Sequence, residues 1–270
     1  MHGRVLIVAG SDSGGGAGIQ ADLKTVTMLG GYAATAITAL TAQNTLGVRG
    51  VVAVEPRFVA EQMEAVLVDI GADCVKTGML HSADIIEAVV RTLESRARGV
   101  PVVVDPVMVA KGGAPLLRDD AQSALRLRLL PLASVVTPNI PEAEALTGVR
   151  VMDVESMGLA ADVLLAQGAS AVLLKGGHLP SDTIVDLLRT ADGEQFVFEG
   201  QRIDTRHTHG TGCTLASAIA QGIAEGLRLS DAVARARDYV ERAIAAAPEL
   251  GQGHGPLNHA HPLESPRREA

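Results

Sequence analysis

The chain has 270 residues, of which 47% are hydrophobic and only 2% aromatic, and its formal net charge is −8. This acidic balance, with no basic stripe, excludes an extended nucleic-acid-binding surface. The two cysteines form no disulfide framework, and the sequence shows neither a signal peptide nor an apolar run of about 18 residues. We therefore expect a cytoplasmic protein that has no membrane contact.

Short apolar segments alternate with segments of helical spacing, which is typical of βαβ units in a parallel sheet. The low aromatic content suits this class, because parallel strands covered on both faces are built from Val, Ile and Leu. The predicted strands are Arg4–Ala9, Ala34–Thr38, Asp73–Lys76, Val102–Val104, Ser134–Thr137 and Ala171–Leu174. The predicted helices are Ile19–Leu29, Arg57–Ile70, Ala83–Arg98, Asp120–Leu130, Glu142–Thr147 and Val154–Gln167.

The pattern changes in the C-terminal third, where short alternating segments are separated by glycines. We expect these segments to form antiparallel strands at one edge of the sheet. They are Thr183–Arg189, Gln195–Glu199 and Gln201–Thr205. Two helices follow, Cys213–Glu225 and Asp231–Ala246, and Ser230 is the expected N-cap of the second.

No internal repeat or linker divides the chain, so the sequence predicts a single domain over residues 1–264, with a disordered tail at 265–270. Three histidines lie near this tail: His254, His259 and His261. Because they lack cysteine or carboxylate partners at ligand spacing, we interpret them as part of a solvated tail and not as a metal site.

The glycine-rich segment Gly10–Gly18 follows the first predicted strand. A dinucleotide fingerprint needs a third glycine where Ile19 stands, and an acidic residue at the end of the second strand, which instead runs on to Thr41 and Gln43. No Gly-Lys-Ser/Thr follows either. Both a nicotinamide site and a Walker loop are therefore disfavoured.

In doubly wound sheets, ligands bind beyond the carboxyl ends of the strands. After the second predicted strand, Gln43 offers an acceptor and two donors that suit an aminopyrimidine or amide edge. After the third, Met79 offers a soft wall for an aromatic ring. A loop-ordering amide and a core methionine explain the same two residues, so both interpretations stay open at this point.

Carboxylates follow two further strands. Asp105 ends Val102–Val104, and Asn139 and Glu142 lie three apart at the next turn, where both can approach one hydrated ion. Mg²⁺ usually keeps several waters and is bound by few carboxylates together with substrate phosphates. Capping explains Asn139 and a helix dipole explains Glu142 equally well, but the convergence of these strand ends favours a metal–phosphate site.

The last two strand-end features are a lysine and a glycine-rich helix start. Lys175 emerges between a buried strand and two glycines, which favours a phosphate contact. Gly210-Thr211-Gly212-Cys213 opens onto a helix, whose free N–H groups and dipole suit an anion, although a tight packing turn explains the same glycines. A cation, a lysine and an anion cradle together indicate phosphoryl transfer.

With these motifs in order, the chain resembles the bacterial hydroxymethylpyrimidine/phosphomethylpyrimidine kinases of thiamine biosynthesis, within the ribokinase-like superfamily. The resemblance covers nearly the whole chain. It rests on AGSDSGGGAGIQADLK at 9–24, AQNT at 42–45, KTGM at 76–79, DPVM at 105–108, TPNIPE at 137–142, LKGGH at 174–178, HGTGCT at 209–214 and GQGHGPLNH at 251–259.

The resemblance implies a three-layer α/β/α fold with a mostly parallel central sheet and a short antiparallel edge. It further implies two successive ATP-dependent, Mg²⁺-dependent phosphorylations, of 4-amino-5-hydroxymethyl-2-methylpyrimidine and then of its monophosphate. It places the pyrimidine against Gly10, Asp22, Gln43, Met79 and Val107. It assigns Asn139 and Glu142 to the Mg²⁺–phosphate region, Lys175 to the ATP phosphates and Gly210–Gly212 to the anion cradle. Asp105, from the strand-end argument, joins the expected Mg²⁺ site, and Thr208, His209 and Thr211 join the expected ATP site.

The resemblance also gives Cys213 the role of base for the acceptor alcohol, with Lys175, Gly210 and Gly212 completing the catalytic set. A thiol at a helix N-terminus lies where the dipole favours thiolate. Lys111-Gly112-Gly113 departs from the family's Ala-Lys-Ser-Gly pattern, which leaves the mobility of that flap open.

Two rival functions remain at the level of sequence. A pyridoxal-type kinase on the same fold would also phosphorylate a hydroxymethyl group on an aromatic ring. A non-catalytic binding module would be expected to have lost the carboxylates or the lysine, all of which are present. The expected partner is a small-molecule substrate, and the small-residue helices leave room for a homodimer.

Overall fold

The computed structural model describes residues 1–110, 113–118 and 120–263. The strands within these ranges are β1 (Arg4–Asp12), β2 (Tyr32–Asn44), β3 (Gly47–Ala53), β4 (Cys74–Thr77), β5 (Val102–Val104), β6 (Val135–Val136), β7 (Ala171–Leu174), β8 (Thr183–Thr190) and β9 (Gln195–Gln201). The α-helices are α1 (Gly18–Met28), α2 (Pro56–Asp69), α3 (Ala83–Arg96), α4 (Ala121–Ala124), α5 (Ile140–Thr147), α6 (Val154–Ala166), α7 (Thr211–Ala224) and α8 (Leu229–Ala245).

Lys111 and Gly112 of the expected flap, the domain boundary at 264 and the expected disordered tail at 265–270 lie outside the described residues. Across the described part of the chain, no helix is long and apolar enough to cross a bilayer.

The strands form one sheet in the order β3-β2-β1-β4-β5-β6-β7-β8-β9. From β2 to β7 neighbouring strands pair in parallel, so their carboxyl ends meet at one rim of the sheet. β1 lies between β2 and β4, so the strand order runs to one side of β1 through β2 and to the other side through β4. Such a switch point is where ligands bind in open α/β sheets.

Two hydrophobic cores cover the two faces of the sheet. One side packs residues such as Leu6, Val8 and Val104 against α2, α3, α5 and α6. The other packs Val5, Ile7 and Val103 against α1, α7 and α8. Successive residues of a strand face opposite sides, so a strand buried on both faces is apolar at every position. The predicted three-layer α/β/α class is confirmed.

Antiparallel pairing occurs at both edges of the sheet, not at one. β8 and β9 form the predicted edge beyond β7, while β3, which the sequence analysis did not predict, pairs with β2 at the other edge. Two glycines, Gly47 and Gly50, weaken the local strand signal of β3. The strand forms because a hairpin supplies its backbone partners.

Three local predictions are wrong. The strand predicted at Gln201–Thr205 is absent from the described structure, because β9 ends at Gln201. Ser230 lies inside α8, whose N-cap is Arg228, held by a 2.9 Å ion pair with Asp231. The helix predicted at Asp120–Leu130 passes from α4 into a π turn and a 3-10 turn containing Pro131, which lacks the N–H that an α-helix needs.

Candidate active site

A cavity of about 1070 Å³ opens at the carboxyl ends of the parallel strands. It is lined by fourteen of the fifteen residues that the sequence analysis selected: Gly10, Gln43, Met79, Asp105, Val107, Asn139, Glu142, Lys175, Thr208, His209, Gly210, Thr211, Gly212 and Cys213. The remaining residue, Asp22, is fully buried beneath the cavity. The convergence expected at the strand ends is therefore present in the structure.

The loop between β1 and α1 is organised by Asp12, a residue that the sequence analysis did not select. Its Oδ1 accepts a hydrogen bond from Gly14 N at 2.8 Å, and its Oδ2 accepts from Gly16 N at 3.1 Å and Ala17 N at 2.9 Å. His209 Nε2 lies 2.8 Å from the same Oδ2. Burial acts to raise the pKa of Asp12, but these bonds outweigh it and hold the pKa below its usual value.

The imidazole of His209 thus joins the first loop to the start of α7. It is 8% exposed, and its Nε2 also lies 3.3 Å from Gln43 Nε2. The side chain is occupied by these contacts, so a phosphate at this point would meet the backbone and not the ring. The sequence did contain a signal for Asp12, because an aspartate that precedes a run of glycines commonly accepts hydrogen bonds from the backbone N–H groups of the loop.

Gly210 lies where the two loops touch. It is the N-cap of α7 with φ +87°, and a Cβ there would lie 1.8 Å from the carbonyl oxygen of Gly16. Close packing therefore explains this glycine, and the anion cradle stays a prediction. The residues of the first turn of α7 line the cavity. Thr211 N donates to Thr208 O at 3.4 Å, and the N–H groups of Gly212 and Cys213 have no acceptor within the helix.

The two charged residues after β5 and β7 form an ion pair beside this helix start. Lys175 Nζ lies 3.2 Å from Asp105 Oδ1, which also accepts a 3.1 Å hydrogen bond from Thr137 Oγ1. A Cβ at Gly212 would lie 3.3 Å from Lys175 Nζ and 3.7 Å from Asp105 Oδ2. Burial opposes the charge of Lys175, yet Asp105 and Glu142 raise its pKa, so it remains a cation.

Asn139 and Glu142 form the capping box of α5. Asn139 Oδ1 accepts from Glu142 N, and Glu142 Oε2 accepts from Asn139 N, both at 2.9 Å. The amide oxygen of Asn139 is therefore used by the helix start, as the capping interpretation predicts. Burial is the main cause that raises the pKa of Glu142 to about 7, with Asp105 adding to it and Lys175 opposing it.

No cluster of three metal-ligating side chains occurs among the described residues. Mg²⁺ does not need one, because it keeps waters and takes one or two carboxylates together with substrate phosphates. Asp105 and Glu142 are buried carboxylates on the cavity wall, each near the cation Lys175. This donor set fits a hydrated ion that arrives with a phosphorylated substrate.

Part of the cavity wall is apolar, formed by residues that include Met79 and Val107. Met79 is buried, and its carbonyl accepts a 2.6 Å hydrogen bond from Thr38 Oγ1. A Cβ at Gly10 would lie 2.5 Å from Met79 Cε, so the glycine lets the thioether reach the cavity. Gln43 exchanges two 2.8 Å backbone hydrogen bonds with Ser13 Oγ, so it orders the loop and also lines the cavity.

Beneath the cavity lies a buried charge cluster that the sequence analysis did not identify. Lys76 Nζ, on β4, lies 2.9 and 3.0 Å from the two carboxylate oxygens of Asp22 on α1. Ser217 Oγ on α7 donates to Asp22 Oδ1 at 2.7 Å. Both charged side chains are fully buried. Asp22 is thus committed to Lys76 and Ser217, and the structure does not bring it to the substrate cavity as the resemblance implied.

Cys213 is partly buried in the first turn of α7. Burial raises the pKa of its thiol to about 12, while Lys76 and a hydrogen bond from Gly18 oppose the rise. The expectation from the helix dipole alone, a favoured thiolate, is therefore outweighed by desolvation in the structure.

Another part of the cavity wall is held by the buried carboxylate of Asp186. Asp186 Oδ1 accepts from Gly176 N at 2.9 Å, and Asp186 Oδ2 accepts from Arg237 Nε at 2.8 Å. A Cβ at Gly176 would lie 1.9 Å from Val185 O. These contacts hold the glycine turn after Lys175 against β8 and α8. Asp186 and Arg237 were both missed, because neither belongs to a local motif.

The C-terminal segment at 251–263 packs against the β2–β3 turn and the start of α7, so its interpretation as a solvated tail is wrong. His254 N donates to Thr45 O at 2.9 Å, and Gly255 O accepts from His209 N at 3.1 Å. His259 is 3% exposed, and its Nε2 lies 3.0 Å from Thr214 Oγ1. The segment therefore ties the β2–β3 turn to the start of α7.

Comparisons with known proteins agree with this geometry. A family model described as phosphomethylpyrimidine kinase matches residues 12–258. The chain is 58% identical over 267 residues to the thiamine biosynthesis bifunctional protein ThiED of Geobacter sulfurreducens, with 98% of this chain but 54% of that protein covered. The chain thus spans about half the length of that relative.

Two further matches extend over nearly the full length of both chains. The hydroxymethylpyrimidine/phosphomethylpyrimidine kinase of Haemophilus influenzae is 50% identical over 259 residues, covering 95% of this chain and 96% of that protein. The crystal structure of an ADP complex of Bacillus subtilis pyridoxal kinase has a TM-score of 0.90 and 37% identity, covering 98% of this chain and 100% of the other.

Proposed function

The chain belongs to the phosphomethylpyrimidine kinase family, and from this premise we propose that it phosphorylates 4-amino-5-hydroxymethyl-2-methylpyrimidine with ATP and then converts the monophosphate to the diphosphate, in thiamine biosynthesis. One observation carries the proposal: the apolar side chains of Met79 and Val107 line the same cavity as the cation Lys175 and the glycine-rich start of α7, which includes Cys213. Phosphoryl transfer needs little more than such positioning and charge neutralisation.

The donor phosphates bind at the start of α7. The backbone N–H groups of Gly210–Gly212 and the helix dipole favour the anion, with Thr208, His209 and Thr211 completing the loop. Lys175 contributes a cation that Asp105 holds 3.2 Å away. Because the contacts of this cradle are already formed before a ligand binds, it needs little reorganisation when charge develops on the transferred group.

The acceptor ring lies against Gly10, Gln43, Met79 and Val107. The amide of Gln43 hydrogen-bonds the ring's polar edge, and Met79 covers its face. Asp22 has no direct contact in this arrangement.

A magnesium ion, when bound with ATP, neutralises charge on the phosphates. Asp105 and Glu142 would hold it through its water shell, and Asn139 contributes by capping α5 and so fixing Glu142.

Cys213 accepts the proton of the acceptor hydroxyl. The oxygen lone pair then forms the new O–P bond, the bond between the γ-phosphorus and its bridging oxygen breaks, and ADP leaves. Proton transfer requires the thiolate, which the raised thiol pKa disfavours in the empty cavity. The reaction therefore depends on charges around the sulfur that offset its burial.

The direct test incubates purified protein with Mg²⁺, ATP and the hydroxymethylpyrimidine and resolves the mono- and diphosphate by mass. Both products are expected, and finding neither would contradict the proposal. Cys213→Ala is expected to lower kcat by about 10²–10⁴-fold, the usual range for general base catalysis. Cys74→Ala, which alters the other cysteine in the core, is the matched control. A folded Cys213→Ala protein with wild-type kcat would disprove the base assignment.

A pyridoxal-type kinase is the second candidate, favoured by the TM-score of 0.90 to the Bacillus subtilis pyridoxal kinase. Turnover of the two alcohols by the same preparation decides between them. A kcat/KM for pyridoxal above that for the hydroxymethylpyrimidine would reverse the assignment.

We also propose that the protein is cytoplasmic and forms a homodimer. Leu40 and Val52 are directly paired across the β2–β3 hairpin and are 50% and 67% exposed, so they form an apolar strip at an edge of the sheet that suits a second copy of the chain. Light scattering measures the mass directly. Leu40→Glu is expected to give a monomer, and a monomeric wild-type protein would contradict the proposal.

A further inference from the structure

Cys213 and Ser217 lie on the same face of α7, because residues four apart on a helix are neighbours about 5–6 Å apart at Cβ. Ser217 donates a 2.7 Å hydrogen bond to Asp22, the partner of Lys76. The thiol of Cys213 therefore lies about one helical turn above the buried Lys76–Asp22 ion pair. This places a buried cation and a buried anion on the side of α7 that carries Cys213.

Lys76 reaches the cavity although its side chain is fully buried. Two contacts to Asp22, at 2.9 and 3.0 Å, account for two of the three ammonium donors. A Cβ at Gly78 would lie 3.0 Å from Lys76 Nζ. Gly78 thus leaves space beside the ammonium of Lys76, which lines the cavity. The third N–H donor of that ammonium is not used by Asp22.

The charged groups that act on the thiol come from four elements. Lys76 on β4 favours the thiolate, whereas Asp22 on α1 and Asp105 after β5 disfavour it. Lys175 after β7 is a second cation that interacts with the Cys213 thiolate. Asp105 is paired with Lys175 and hydrogen-bonded by Thr137, so its charge is partly offset. Burial raises the pKa of the Cys213 thiol, and Lys76 lowers it more than any other charged group does.

We propose that Lys76 is a positioning residue for proton transfer, whose ammonium, held by Asp22 and Ser217, supplies the counter-charge for the Cys213 thiolate. This inference rests on the proposed kinase function. In the step, the hydroxyl proton moves from the acceptor oxygen to Cys213 Sγ, and the electron pair left on that oxygen forms the O–P bond. The bond between the γ-phosphorus of ATP and its bridging oxygen breaks, and ADP leaves with the electron pair of that bond. The charge on sulfur beside Lys76 is thereby lost as negative charge moves toward the phosphoryl group.

The test needs a variant that folds, because Lys76→Met alone would leave the Asp22 carboxylate buried without its partner. The double variant Lys76→Met/Asp22→Asn removes both charges, and Asp22→Asn alone retains the lysine. These two proteins lack the same carboxylate and differ only at position 76. The remote pair Arg235–Glu225, changed to Met and Gln, controls for the loss of an ion pair elsewhere.

The principal readout is independent of kinase activity. In a Cys74→Ala background, the rate of iodoacetamide alkylation of Cys213 is followed by peptide mass between about pH 7 and pH 11, a range over which thiols ionise. At each pH, we expect alkylation about tenfold slower in the double variant than in Asp22→Asn. The Arg235/Glu225 variant should match the parent protein.

Turnover provides the second readout. The double variant is expected to lose at least about tenfold in kcat, with the KM for ATP changed less than about threefold, because the cradle at Gly210–Gly212 is intact. Equal alkylation profiles in the two Asp22 variants would overturn the inference whatever their kinase activity. A slowed alkylation with unchanged kcat would also overturn it, since the charge on sulfur would then have no part in transfer. If the parent protein had no kinase activity while the alkylation difference remained, the proposed function would fail and the electrostatic link would stand.

Discussion

Gly210→Ala tests whether the contact between the two glycine loops sets the geometry for phosphoryl transfer. α7 has a glycine of nearly the same conformation at each end: Gly210 with φ +87° before it and Gly226 with φ +86° after it. Alanine at either position meets the same backbone penalty, about 1–2 kcal/mol for the left-handed region. The two substitutions therefore differ in their surroundings and not in their intrinsic cost.

The surroundings differ sharply. A Cβ at Gly226 meets no atom within 4 Å, whereas a Cβ at Gly210 would lie 1.8 Å from Gly16 O. Real Cβ contacts essentially never come closer than 3.0 Å, so the two loops would have to separate by more than 1 Å at this point. A displacement of about 1 Å in a site that works by positioning costs about 10²-fold in rate.

The assay couples ADP release to an optical readout at saturating and limiting acceptor, with thermal unfolding measured on the same samples. Gly226→Ala should lower Tm by about 2–8 °C and leave kcat/KM within about twofold of wild type. Gly210→Ala should lower kcat/KM by about 10²-fold. If Gly210→Ala retained kcat/KM within about threefold of wild type, or if both variants lost activity equally, the argument from loop contact would be refuted.

Three further predictions concern His259, the capping box of α5 and the C-terminal segment at 251–263. Burial lowers the pKa of His259 from 6.5 to about 4. As the pH falls, the imidazole therefore binds a proton in the unfolded chain before it does so in the folded one. Up to about 3 kcal/mol of unfolding free energy should be lost between about pH 6.5 and pH 4. Denaturant titrations should show a shallower loss for His259→Gln, and an identical pH dependence would contradict this. Asn139→Ala and Asp153→Ala each remove a capping box, and each should lower the unfolding free energy by about 1 kcal/mol. Only Asn139→Ala should raise the Mg²⁺ concentration that gives half-maximal activity. Equal effects of the two substitutions on that concentration would count against a role for α5. In Gly253→Ala, the new Cβ would lie 2.1 Å from Thr45 O, so steady-state kinetics should show a several-fold higher KM for the acceptor alcohol, and an unchanged KM would argue that the C-terminal segment does not position the β2–β3 turn.

Local sequence was sufficient for most of the fold. Val102–Val104 and Ala171–Leu174 have the predicted bounds, because a short, continuous apolar run between turn residues favours a strand buried on both faces. β3 was missed, since two glycines leave little intrinsic strand preference and its pairing with β2 decides its conformation. The same limit applies to the C-terminal segment, whose polar composition resembles a solvated tail until its partners are present.

The candidate site divides in the same way. Sequence located the strand-end residues, because parallel strands direct their carboxyl ends to one rim whatever the details of packing. It did not identify Asp12 or Lys76 as site residues, since their partners lie far along the chain: Asp12 contacts His209, and Lys76 contacts Asp22. Such pairs leave no trace in local spacing.

What the sequence by itself determined is the layered α/β architecture and the strand-end residues that face the cavity, both consequences of strand periodicity and connection order. What only the tertiary structure decided is the state of those groups. Glu142 at a helix start and Cys213 at another are both expected to carry negative charge from the dipole, yet burial raises both pKa values. Desolvation depends on every atom packed around a group, and that sum exists only in the folded chain.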